Sequence, residues 1–316
     1  MLNGLQDKIF ALLEELFKLM SFTKSFNIAD IPVIVHSPPN LNKPAPLIIL
    51  WHGFGIPSSE EMLAQTLPLK EVQAWKAYPE LPLFGHLMKT NNLEELMQRQ
   101  LEDYTLQLLL PTIEPAVQKL PEIVRQLQIE LGISEKLGIG LFGFSAGGIA
   151  SLLTLIESSV SISAAVLTGV TNNLTSAIDM VERATQQNYQ TLKEQYSWVE
   201  ERHKQYQWTE ASRKAQQRLD FVNRAAEITQ RQTIPAILLA HGVQDETLTL
   251  KEVKTLYAAL KNHYERVNQA EYLFLKTFEH LKHHLDFETA KNNPQMQQNL
   301  IEFQKVVATW FCQHLT

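Results

Sequence analysis

Short apolar runs punctuate this chain, separated by longer segments whose apolar residues recur every three or four positions. Leu47 to Trp51, Leu137 to Phe142, Ile162 to Leu167 and Ile234 to Ala240 are four such runs, and Tyr272 to Phe278 is a fifth. Ile149, Leu152, Leu153 and Ile156 follow the second run at helical spacing. A helix over Lys251 to His263 is expected between the last two runs, and another over Leu300 to His314 at the end. Strands that are aliphatic on both faces and alternate with helices predict an α/β architecture with a mostly parallel sheet covered on both sides. Ile31 to His36 is expected to add an antiparallel strand at the start.

Three segments depart from this rhythm. Leu5, Ile9, Leu12, Leu13, Leu16 and Leu19 or Met20 make one apolar face, so residues 1–30 read as an N-terminal amphipathic helix that packs on the body or on a second subunit. Residues 171–232 contain no glycine or proline but many glutamines, with Tyr189, Tyr196, Trp198, Tyr206, Trp208 and Phe221 among mixed charges. They are expected to form an inserted helical cap, because helices of this kind need a partner to cover their aromatics. Residues 31–170 and 233–316 would then form the core. The stretch Trp75 to Gly85 is broken by Pro79 and Pro82 and is expected to run over the surface.

Composition narrows the function classes. The chain has 316 residues, 45% of them hydrophobic, enough for one large core or for a core with an inserted subdomain. Its 34 acidic and 28 basic residues carry no basic cluster interleaved with aromatics, which excludes a nucleic-acid role. Asp7, Lys8, Glu14, Glu15 and Lys18 interrupt the N-terminal apolar segment, which lacks an uninterrupted apolar run and a small-residue cleavage site, so no signal peptide is expected there, and its mixed charge argues against a membrane role. No stretch is long and apolar enough to span a bilayer. The single cysteine, Cys312, cannot form an intrachain disulfide, and a cytoplasmic location is expected.

The chemistry concentrates where the second apolar run breaks into Gly143-Phe144-Ser145-Ala146-Gly147 and then into a helical pattern. Gly-x-Ser-x-Gly between a strand and a helix reads as a nucleophile elbow. The serine sits on a sharp, strained turn with its Oγ exposed, and glycines two residues to either side leave room for neighbouring chain. A serine is inert at neutral pH without a base, and the base needs a third group to hold its tautomer. Asp245 follows the fourth run in His241-Gly242-Val243-Gln244-Asp245, and as a candidate acid it competes with a plain turn or helix-cap role. The fifth run leads into Glu279-His280-Leu281-Lys282-His283-His284-Leu285-Asp286, with three histidines in five residues. His280, His283 and His284 are all candidates. A metal site over His280, His283, His284 and Asp286 is the rival reading, and no HExxH-type motif or second carboxylate cluster supports it.

The order Ser, Asp, His in these contexts resembles the α/β-hydrolase superfamily, closest to its dienelactone-hydrolase-like and carboxylesterase-like members. The likeness covers the core strands from Leu47 onward and not the two insertions. It implies an α/β-hydrolase fold, no cofactor and no metal. Laid on the family pattern of an aromatic residue, then Gly-x-Gly-His, the loop after the last strand places the base at His283, although both glycines are replaced, by His280 and Lys282. His52-Gly53-Phe54-Gly55, after the first run, resembles the family's oxyanion loop, implying backbone donors at Phe54 and Ala146, with His52 as a structural residue. His241 has a similar structural reading.

The function this implies is hydrolysis of carboxylic esters of small or medium size through an acyl-enzyme on Ser145. A peptidase, thioesterase or acyltransferase with the same triad is one alternative, and a non-catalytic hydrolase-fold binding protein is another. The segment before the strands, about 45 residues, is far shorter than a propeller needs, which disfavours a prolyl-oligopeptidase architecture. Trp75, Tyr78, Phe84 and Trp198 are candidate substrate contacts. The expected partner is a small-molecule ester, with homo-oligomerisation left open.

Overall fold

A computed structural model describes residues 22–315. Its frame is an eight-stranded sheet in the order β1-β2-β4-β3-β5-β6-β7-β8. The strands are β1 (Thr23–Ile28), β2 (Ile31–His36), β3 (Leu47–Trp51), β4 (Trp75–Pro79), β5 (Ile139–Phe144), β6 (Ile162–Thr168), β7 (Ala236–Gly242) and β8 (Leu273–Phe278). From β4 to β8 the ladder is parallel, and β1 and β2 join it antiparallel. This is the mostly parallel α/β architecture that the alternation of apolar runs and helices predicts.

The apolar runs are continuous because both faces of the sheet are covered. On β3, Leu47, Ile49 and Trp51 enter one core cluster while Ile48 and Leu50 enter the other. Strand β7 divides the same way, Ile237 and Leu239 against Leu238 and Ala240. The helices that cover these faces are α1 (Glu60–Thr66), α2 (Phe84–Lys89), α3 (Leu93–Asp103), α4 (Leu110–Leu131), α5 (Ala146–Glu157), α6 (Leu174–Gln195), α7 (Glu210–Arg218), α8 (Ala225–Thr229), α9 (Leu250–Arg266), α10 (Phe287–Ala290) and α11 (Pro294–His314). Among the described residues no helix is long and apolar enough to cross a membrane.

Two strands escape the sequence pattern. β4 is the proline-punctuated stretch expected on the surface; instead all five of its residues are buried between β2 and β3. Pro79 is the last residue of the strand and Pro82 lies beyond it, so the ladder loses little. Lys76 disguises the run as polar, yet its Nζ donates to Ser37 O at 2.7 Å, and burial lowers its pKa to about 8. β1 falls within residues 1–30, where a helix is expected, and forms a hairpin with β2 through Ala29 and Asp30, both at positive φ. Such two-residue turns usually announce themselves with glycine or asparagine. The amphipathic face from Leu5 to Met20 lies outside the described residues.

Strand order fixes where a ligand can sit. The chain passes from β3 to β4 on one side and then returns to place β5 on the other side of β3. Open α/β sheets bind ligands beyond the carboxyl ends of strands at such a switch point. The loops leaving β3 and β5 there begin at His52 and Ser145.

Between β6 and β7 the chain is wholly helical, with α6, a 3-10 turn at Glu201–Lys204, α7 and α8. Leu174, Ile178, Val181, Leu219 and Phe221 from this excursion join the main core. Tyr189 and Val199 instead form a small cluster with Leu101 of α3, flanked by Met97, Tyr196 and Trp198.

Candidate active site

Ser145 follows β5 without a break and has φ 53° and ψ −118°, a strained conformation for a side-chain-bearing residue. Its position depends on the flanking glycines. A Cβ on Gly147 would stand 2.2 Å from His52 O, and one on Gly143 would stand 2.5 Å from Gly147 O. The first turn of α5 can therefore lie close against the carboxyl ends of β3 and β5 only because both residues lack side chains.

Asp245 lies in the turn after β7, where its N–H donates to Gly242 O at 3.2 Å. One carboxylate oxygen, Oδ1, accepts the N–H groups of Thr247 and Leu248, both at 2.9 Å. The other, Oδ2, is 2.8 Å from His283 Nδ1. His283 Nε2 is 3.1 Å from Ser145 Oγ. An ionised carboxylate can only accept, so Nδ1 carries the proton and Nε2 presents its lone pair to the serine hydroxyl. His283 is buried, packs against Phe144 at a ring separation of 5.2 Å, and lies over Gly169, whose Cβ would come within 3.1 Å of the imidazole Cε1. Gly169 has φ +55°, so both its backbone and the ring above it require glycine. No sequence motif points to Gly169, because its role arises from a ring 114 positions away.

The other two histidines have different surroundings. His280 faces Gln244 Nε2 at 3.4 Å, and its backbone N–H donates to Asn299 Oδ1. His284 is exposed and lies against Gly55 of the loop after β3, and its pKa is lowered by partial burial and by His283. A cavity of about 190 Å³ opens beside His283 and His284, lined also by Lys282, Gln244 and Asp286. Asp286 is engaged as the cap of α10, accepting the Glu288 N–H at 2.8 Å. Among the described residues, no three potential metal ligands converge.

The loop after β3 is tied down at several points. Gly53 N–H donates to Pro57 O at 3.2 Å, and Leu285 N–H donates to Ile56 O at 3.0 Å, which joins this loop to the histidine loop. His52 is fully buried: its Nε2 accepts the Leu81 N–H at 3.0 Å, so Nδ1 is the protonated nitrogen and donates to Gly53 O at 2.9 Å. Burial lowers its pKa to about 4. His52 is thus neutral and structural, consistent with two hydrogen bonds that need one donor and one acceptor. His241 is also buried, and desolvation lowers its pKa. The backbone N–H groups of Phe54 and Ala146 have no acceptor among the described residues.

Of the candidate substrate contacts, Phe84 is near this centre, stacked on Phe54 with ring centroids 4.5 Å apart. Trp75 is not. It pairs with Leu47, which pairs with Ile139, at the amino ends of the parallel strands, so it lies about 20 Å below Ser145 at strand rise. Tyr78 is fully buried with its hydroxyl on Leu67 O. Both are framework residues, drawn into the core because β4 is an internal strand. Trp198 belongs to the helical excursion, where its Nε1–H donates to Glu94 Oε1 at 3.1 Å.

Comparison with known proteins agrees with this architecture. A Thermus thermophilus protein has a similar structure, with a TM-score of 0.57, 16% identity, and coverage of 90% of this chain and 98% of that one. An esterase of Pyrococcus furiosus superposes with a TM-score of 0.59 at 13% identity, covering 96% of this chain and 94% of its own. The acylaminoacyl peptidase of Pyrococcus horikoshii has a TM-score of 0.58 at 15% identity over 95% of this chain, which spans only 43% of that longer protein. No curated protein matches by sequence. Residues 123–309 match the prolyl oligopeptidase family. The superfamily is the one the motifs resemble. The family within it is the one whose architecture the sequence reading disfavours, and the match is confined to residues 123–309. Since that match spans more than half of the chain and includes Ser145, Asp245 and His283, the chain belongs to the prolyl oligopeptidase family and is a serine hydrolase of the α/β-hydrolase fold.

Proposed function

We propose that Ser145, His283 and Asp245 form a catalytic triad that hydrolyses carboxylic esters of small or medium size. The observation that carries this reading is the continuous hydrogen-bonded chain from Asp245 Oδ2 through both imidazole nitrogens to Ser145 Oγ. His283 Nε2 takes the hydroxyl proton as Oγ attacks the ester carbonyl, and the new imidazolium is held by Asp245. The carbonyl oxygen becomes an oxyanion, received by the Phe54 and Ala146 N–H groups, which have no other acceptor among the described residues. Collapse of the tetrahedral species expels the alcohol, which takes the proton from Nε2. Water then attacks the acyl-enzyme by the same route, releasing the acid and restoring Ser145.

The helical excursion over residues 171–232 is read as a cap. Its support is a set of contacts with α3: Arg202 donates to both carboxylate oxygens of Glu102, at 2.8 and 2.6 Å, and Tyr206 O–H donates to Asp103 at 2.6 Å. A peptidase is the second reading, favoured by the family match and by the likeness to an acylaminoacyl peptidase.

The test is labelling with a fluorophosphonate, in which Oγ displaces fluoride from phosphorus, followed by mass spectrometry of the adduct. One adduct on Ser145, absent from Ser145→Ala, with p-nitrophenyl esters turned over faster than aminoacyl anilides, supports the ester reading. Faster cleavage of the anilides moves the function to peptidase. Absence of any adduct on folded protein defeats both.

A further inference from the structure

The loop carrying Phe54 is pinned by hydrogen bonds at His52, Gly53 and Ile56, yet no described residue hydrogen-bonds to the main chain of Phe54 itself. What holds Phe54 is its ring. Phe84 stacks on one side of it at 4.5 Å and an interplanar angle of 31°. Tyr104 meets it edge-on, at 6.5 Å and 88°.

Tyr104 occupies an unusual place in the chain. It opens a π-helical turn, Tyr104–Leu109, inserted between α3 and α4. The turn has a local cause, since Pro111 has no N–H to offer Gln107 O, which instead accepts from Arg99 Nη1 at 3.2 Å. Leu110 N–H reaches back five residues to Thr105 O. Such turns recur at functional sites. Here the turn is held from the helical excursion as well. Asp103 Oδ1 caps it by accepting Leu106 N–H at 3.0 Å, and the same oxygen accepts Tyr206 O–H at 2.6 Å. Tyr104 is only 4% exposed, and its ring lies between that anchored turn and the loop.

We propose that Tyr104 is a positioning residue for the oxyanion site: its ring fixes Phe54, and the Tyr206–Asp103 hydrogen bond ties that contact to the helical excursion. The inference rests on the reading of Phe54 N–H as an oxyanion donor. It assigns the excursion a role in turnover separate from substrate access, because its docking holds a donor in place. The ring and not the hydroxyl supplies the contact, so phenylalanine at 104 preserves it and leucine does not. A donor displaced by about 1 Å costs up to about 10²-fold in rate.

Five proteins are compared: wild type, Tyr104→Leu, Tyr104→Phe, Tyr206→Phe and the double variant Tyr104→Leu/Tyr206→Phe, each checked for unchanged folding by circular dichroism and melting. Ester kcat and KM are measured, together with inhibition by a trifluoromethyl ketone, whose hemiketal places an oxyanion at the site. The expected result for Tyr104→Leu is a fall in kcat of about 10-fold to 10²-fold, KM within about twofold, and a parallel loss of ketone affinity. Tyr104→Phe stays near wild type. Tyr206→Phe shows a smaller kcat loss that disappears when combined with Tyr104→Leu. The proposal is overturned if Tyr104→Leu changes only KM or melting, if Tyr104→Phe is as impaired as Tyr104→Leu, or if the two losses simply add. A wild type that neither hydrolyses esters nor binds the ketone would instead defeat the oxyanion reading on which the proposal rests.

Discussion

Replacing Asp245 with asparagine removes one charge and keeps the shape, and the surroundings of Asp245 determine what the amide does. Oδ1 is held by two backbone N–H groups at 2.9 Å, from Thr247 and Leu248. An asparagine keeps its oxygen there, because a flipped amide would set its NH₂ against both donors, and each buried donor left unpaired costs about 1–3 kcal/mol. The NH₂ therefore takes the place of Oδ2, 2.8 Å from His283 Nδ1. It can only donate, so Nδ1 becomes the acceptor and the proton moves to Nε2. That nitrogen faces Ser145 Oγ at 3.1 Å and can no longer take its proton. Loss of the correct tautomer in such a triad costs about 10⁴-fold in kcat, about 5 kcal/mol of transition-state stabilisation. Folding stability should change by less than about 1 kcal/mol, since the hydrogen-bond count is kept. The assay is kcat for a p-nitrophenyl ester beside a urea unfolding curve. A loss under tenfold with the urea midpoint retained would refute the tautomer argument and the assignment of Asp245.

Three further outcomes are expected. His283→Ala should lose about 10³-fold or more in kcat, while His280→Ala and His284→Ala stay within about tenfold of wild type, and a reversed ranking in ester kinetics would reassign the base. Gly147→Ala should lower kcat about 10²-fold, because its Cβ would meet His52 O at 2.2 Å and push the elbow from the end of β3 by about 1 Å; unchanged turnover would show that this approach is not needed. His52 is neutral when folded down to about pH 4, whereas in the unfolded chain it protonates near 6.5. The unfolded state therefore binds more protons between these values, and stability falls as pH drops from 6.5 to 4, by about 3 kcal/mol from this group. Urea unfolding of wild type and His52→Gln across that range measures it as the difference between the two slopes, which equal slopes would contradict.

Local chemistry made much of this protein legible from its sequence. Runs such as Leu47 to Trp51 are apolar at every position because both sheet faces are covered, and that shows in composition alone. The elbow shows because close approach at Gly143 and Gly147 admits no Cβ, so the motif records a contact in three dimensions as a one-dimensional spacing. The order of Ser145, Asp245 and the histidine loop reflects the order of β5, β7 and β8. Tertiary structure decided the rest. β4 hid behind Lys76 and two prolines, and its burial depends on Ser37 accepting from the lysine and on neighbours from distant parts of the chain. β1 depends on a hairpin turn, Ala29-Asp30, that lacks the usual residues. Three histidines within five positions are equivalent as letters, and only the reach of Asp245 and Ser145 sets His283 apart. Tyr104 meets Phe54 across fifty residues, through a helix turn displaced by Pro111. A contact of that separation leaves no periodicity for a sequence to display, because it is set by the packing of whole elements and not by the neighbours of either residue.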